Sequence, residues 1–156
     1  MKARYDKGYI ICLPLINNSY GAGLITRIDK PIILGCFINK RFDNIPEISL
    51  VEEFLRNKKN IVLIKKFGSL GLDKGEWKIL GKYSNWKEEE WPLSPFIKTD
   101  VISNKKYLEY YDDRLKHIKE NELEPNDENI YPQDGLAGYK FLEKKLNQLL
   151  SRGLQI

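Results

Sequence analysis

Two short stretches, Gly8–Leu15 and Pro31–Asn39, are apolar at almost every consecutive position, so neither offers a polar side to water. Each is strand-length, far short of the ~20 apolar residues that a membrane helix needs. Strands without a polar face belong in the middle of a covered sheet. Between the two runs, Asn17-Asn18 predicts a tight turn into a strand over Ser19–Ile28. Gly21 and Gly23 alternate with Ala22 there, which predicts close backbone approach or a bulge.

Further strands are expected over Asn60–Phe67, Phe96–Val101 and Lys106–Tyr111. Glu76–Tyr83 alternates, with Trp77, Ile79, Gly81 and Tyr83 on one side and Leu80 as the exception on the other. The glycines of Gly68–Gly75 read as a connection, and Lys87–Trp91 as a charged aromatic loop. Ser49-Leu-Val-Glu52 matches a capping box, opening a short helix buried through Leu50, Phe54 and Leu55. Asp112–Glu122 reads as a short polar helix and Glu124–Gln133 as a loop. The clearest element is the last: Leu136, Tyr139, Leu142, Leu146, Leu149 and Leu150 form one helical stripe, with Asp134 as cap and Gly153 past the final turn. The fold class is therefore α+β, a strongly bent antiparallel sheet with helices packed on one side, including a C-terminal amphipathic helix. One domain over residues 1–156 is expected, since no repeat or linker divides the chain.

Several chemistries are disfavoured. A single histidine, His117, and two well-separated cysteines, Cys12 and Cys36, supply no zinc or binuclear metal set. No Gly-x-Ser-x-Gly elbow presents a serine, and His117 falls in a charged segment expected to be exposed. Gly68-x-x-Gly71-x-x-x-Gly75 lacks the Lys-Ser/Thr of a phosphate loop. The cysteines read as buried thiols. Asp112-Asp113 and Glu88-Glu89-Glu90 read as a helix cap and a solvated run, because adjacent carboxylates do not face the same way. Lys105-Lys106-Tyr107 and Tyr110-Tyr111 resemble a stacking surface for single strands, yet Glu109, Asp112 and Asp113 would repel phosphate, so direct nucleic-acid binding is disfavoured. No catalytic residue, metal ligand or cofactor is assigned. The N-terminus lacks an apolar stretch before a small-residue cleavage site, which predicts a cytoplasmic protein without a membrane role.

Charge is distributed unevenly. Between Glu109 and Asp134 nine acids face three bases, a balance of −6, so the remainder carries +10 to reach the chain's net +4. An acidic segment on a basic body suits a basic partner.

Ordered segments along most of the chain carry a resemblance. They are Gly8…Pro14-Leu15, Tyr20-Gly21-x-Gly23, Gly35-x-Phe37, Phe42-Asp43-x-Ile45-Pro46, Phe67-Gly68, Gly75-Glu76-Trp77-x-Ile79-x-Gly81, Trp91-Pro92 and Asp134-Gly135-Leu136-Ala137-Gly138-Tyr139. Together they resemble the immunity protein 26 family of bacterial polymorphic toxin systems. One departure is Tyr9 after Gly8, where an acidic residue is expected. The resemblance implies an antitoxin that binds a cognate toxin domain encoded by a neighbouring gene and has no active site of its own. The family label also covers proteins described as organophosphate hydrolases, so a small phosphotriester hydrolase is the alternative. Many toxins of such systems attack nucleic acids with cationic sites, which carboxylates can shield. The expected toxin interface is therefore Tyr110, Tyr111, Asp112, Asp113, Glu120, Glu122, Asp127 and Tyr131.

Overall fold

The computed structural model describes residues 4–124 and 131–153. The apolar runs form β1 (Tyr9–Pro14) and β3 (Ile32–Ile38), flanking β2 (Tyr20–Asp29). Ile10, Ile11, Cys12 and Leu13 are each at most 1% exposed, so consecutive residues are buried on opposite faces. These strands lie inside a six-stranded sheet of order β5-β1-β2-β3-β4-β9, with β4 at Ile61–Gly68, β5 at Lys78–Lys82 and β9 at Leu136–Ala137. All its pairings are antiparallel except β4 with β9. Asn17 and Asn18 both take left-handed backbone at the turn, as the dipeptide predicts. The close approach expected at the glycines is present: a Cβ on Gly21 would sit 2.6 Å from Leu146, and one on Gly23 2.6 Å from the Phe37 ring.

A sheet with apolar central strands needs cover on both faces, and it has it. On one face Ile11, Leu13, Ile25, Phe67 and Trp77 pack with Leu142, Leu146 and Leu150 of α3 (Tyr139–Gly153). On the other, Ile10, Ala22, Leu24, Cys36 and Ile38 pack with Val51 and Leu55 of α1 (Ile48–Leu55). The α+β class and the C-terminal helix are as expected, while the helices divide between the two faces. Both cysteines are free and buried, and burial pushes each thiol up to about 12. Among the described residues no helix is long and apolar enough to cross a membrane.

Several local expectations are corrected. The capping box does not form: Glu47 precedes α1, and the Glu52 carboxylate instead accepts from the Ser84 backbone N–H and hydroxyl. Val51, not Leu50, is buried on α1, and Leu50 is 47% exposed. The glycine connection contains a short helix, α2 (Leu70–Asp73). In β5 the register against β1 shifts between Ile10 and Ile11, which pair with Gly81 and Ile79. Leu80 is the extra residue, so it and Tyr83 join the α1-side cluster while Trp77 and Ile79 stay with α3. Finally, α3 starts at Tyr139 and ends with Gly153; Leu136 lies exposed in β9, and Asp134 is not its cap.

The rest of the chain builds a second sheet of three strands, β6 (Phe96–Thr99), β7 (Lys106–Tyr111) and β8 (His117–Glu122), in that order. The short polar helix expected over Asp112–Glu122 is therefore a turn and a strand. That stretch has no apolar stripe to bury as a helix, and pairing with β7 takes up its inward-facing backbone groups instead. Phe96 and Leu115 pin the small sheet onto Leu34 of the large one.

Candidate functional site

Cross-strand register decides which polar groups meet. Phe96 pairs with Glu109, Glu109 with Glu120, Tyr107 with Glu122 and Tyr111 with His117, so these side chains share one face of the small sheet. His117 and Glu120 are three apart and would face opposite ways on a regular strand. The register shift between Tyr110 and Tyr111 makes Ile118 the extra residue and brings both to the same side. Glu109, only 3% exposed, therefore has His117 Nε2 at 2.7 Å from its Oε2 and Lys98 Nζ at 4.0 Å from its Oε1. A hydrogen bond with Glu109, and its charge, raise the Glu120 carboxyl above the ordinary range.

The face opens into a cavity of about 560 Å³ that also reaches Lys66, Asp134 and Tyr111. Lys66 Nζ lies 2.8 Å from Asp134 Oδ1 and 3.8 Å from the Tyr111 ring centre. The Tyr111 hydroxyl donates to Asp134 Oδ2 at 2.6 Å, and burial together with that carboxylate raises the phenol's pKa. Chemically the cavity gathers an imidazole, three carboxyls, of which those of Glu109 and Glu120 are in contact, and two ammonium groups. Glu109, His117 and Glu120 are a set able to hold a divalent cation, since their donor atoms all lie within 4.8 Å of one another. Lys98 already supplies positive charge beside Glu109.

The family model described as Immunity protein 26 matches residues 6–108, about two thirds of the chain. The chain belongs to that family. No significant match to a curated protein or to a solved structure was found. Relative to the family match, the site sits at an edge: the matched segment ends at Leu108, so the Glu109–His117–Glu120 cluster, β8 and α3 all lie beyond it.

The expected interface residues do not form one patch. Tyr111, Glu120 and Glu122 share the cavity-side face. Tyr110 and Tyr131 lie behind it, half-buried against Ile97, Leu108 and Leu123. Asp112 shapes the β7–β8 turn by accepting from the Arg114 and Lys116 N–H groups, which hold its carboxyl below the ordinary range. Asp113 accepts from Nε of the buried Arg27 at 3.1 Å. Asp127 lies outside the described residues. Sequence reasoning missed three features here. Glu109 was hidden among other acids, and the pairing of His117 depends on an unforeseen strand. Val101 and Ile102, each 96% exposed, stand in the turn after β6, so the strand expected to reach Val101 stops at Thr99. Asp100 fixes the turn by accepting from the Ile102 N–H at 2.9 Å, and the Ser103-Asn104 pair was the available signal.

Proposed function

We propose that this chain is a cytoplasmic immunity protein that neutralises a cognate bacterial toxin, encoded by a neighbouring gene, through direct protein–protein binding, with the three-stranded sheet as its contact surface. Family membership supports the inhibitor role in general. The observation that carries the placement is a projecting surface with little work to do in the fold. All six residues of β8 are exposed, and Val101 and Ile102 stand bare at the tip of the adjoining hairpin. Aliphatic side chains of this size gain about 1.5–3 kcal/mol each when fully buried. Glu120 and Glu122 add charge able to steer a basic partner.

The geometry also chooses the test. Reversing Asp113 would leave the buried Arg27 without its anion, and changing Asp112 would remove a turn, so both would confuse folding with binding. Glu122→Lys, at an exposed position of β8, avoids both problems and leaves the Glu120–Glu109 hydrogen bond in place. Affinity for the toxin domain, measured by calorimetry at low salt, is expected to fall by more than about tenfold. Unchanged affinity would remove this sheet from the interface. A second reading, a small phosphotriester hydrolase, is favoured by the Glu109–His117–Glu120 cluster beside Lys66 and Lys98. Its signature would be turnover of a phosphotriester by the purified chain that is lost in His117→Ala.

A further inference from the structure

We infer that β8 is a pairing edge, which takes an extended basic strand of the toxin as the next strand of the small sheet; this rests on the neutralising role proposed above. The two edges of the sheet differ. β6 is covered, because Ile97 N–H donates to Pro132 O at 2.8 Å, Asp134 N–H donates to Ile97 O at 2.8 Å, and Ile97 bridges Gln133. β8 ends the sheet, and among the described residues no strand pairs with its outer side.

Hydrogen-bond alternation shows which groups face outward. Leu123 N–H donates to Lys106 O at 2.9 Å. Bonded and unbonded pairs alternate along an antiparallel ladder, so Asn121 against Leu108 and Lys119 against Tyr110 also bond inward. Glu120 and Glu122 therefore turn their own N–H and C=O groups away from β7. An open row of this kind is a template for another strand.

The same two residues decide what can occupy it. A second copy pairing antiparallel through these outward groups would set Glu120 against Glu120, Glu120 against Glu122, or Glu122 against Glu122. Each register opposes carboxylates directly across the new ladder, which is destabilising. A foreign strand with Lys or Arg at alternate positions meets the same row with opposite charge. The edge thus repels its own copy and fits a basic strand, and exposed Ile118, at 60%, offers apolar contact beside the carboxylates.

Amide hydrogen exchange on the whole chain, alone and with the toxin domain encoded beside it, reads this directly. On binding, the Glu120 and Glu122 amides should slow by more than about tenfold, with smaller changes at Lys119 and Asn121, already bonded to β7. In parallel, Glu122→Pro, which removes an outward N–H that β7 does not use, should bind more than about tenfold more weakly than Glu122→Gln, which removes only the charge. Toxin binding with unchanged Glu120 and Glu122 amides would overturn strand pairing while leaving neutralisation intact. Protection of these amides in a dimer without toxin would assign the edge to a second copy instead. Absence of any binding would overturn both this inference and the role it rests on.

Discussion

Asp134→Ala is expected to destabilise the fold by about 3–5 kcal/mol, because it breaks a buried pair from one side only. The Asp134 carboxylate is 9% exposed and the Lys66 ammonium 12%, and they lie 2.8 Å apart. Without Asp134 the ammonium keeps, among the described residues, the faces of Tyr111 and Phe96, with ring centres at 3.8 and 5.6 Å. The Tyr111 hydroxyl would also lose its acceptor. The position matters because residues 131–137 join the two sheets, bonding β6 at Ile97 and pairing with β4 through β9. Asp134→Asn, which keeps the shape and an acceptor, should cost less. Burial raises the Asp134 carboxyl, but hydrogen bonds from Lys66, Tyr111 and the Gly135 N–H outweigh it and leave its pKa below the ordinary value. A depressed carboxyl contributes stability above its unfolded pKa, roughly 3.9, that is lost as pH falls through the folded value. The gap between wild type and Asp134→Asn should therefore narrow below about pH 4. Denaturant unfolding at neutral and acid pH measures both effects; a loss under about 1 kcal/mol for Asp134→Ala would show that Lys66 needs no anion.

Leu146→Ala should cost about 3–5 kcal/mol, toward the upper part of the range for buried leucines. Leu146 is fully buried on α3, and its Cδ2 fills the space where Gly21 would carry a Cβ. A glycine has no side chain that could move into the cavity. The helix is further restrained by Arg41, which donates to Asn147 Oδ1 at 2.7 Å and Ser151 Oγ at 3.0 Å, and by Trp77 Nε1, which donates to Glu143 at 2.8 Å. These contacts limit collapse of α3 onto the vacated volume. A change below about 0.5 kcal/mol, typical of surface positions, would mean that α3 is peripheral.

What was legible in the sequence follows from periodicity. Continuous apolar runs named β1 and β3 as central, and the leucine stripe named α3, because burial repeats at a fixed interval along each element. β7 is legible as a strand, whereas Asp112–Glu122, the turn and β8, reads as a helix because charged residues carry little periodic signal and suit an exposed helix as well as an exposed strand. Its bulge at Ile118 brings His117 beside Glu109 and Glu120, and a one-residue register shift leaves no mark in composition. β8, within the segment that carries the expected interface, is exposed, while pairing across the sheet places Tyr110 behind it and ties Asp113 to Arg27. Those assignments depend on contacts distant in the chain, beyond the reach of local pattern.

The central claim, neutralisation by binding, is tested most directly by growth. Cells producing the toxin domain encoded beside this chain should stop growing, and co-expression of the chain should restore growth to the uninduced rate. Failure to restore growth, with both proteins soluble and folded, would contradict the account.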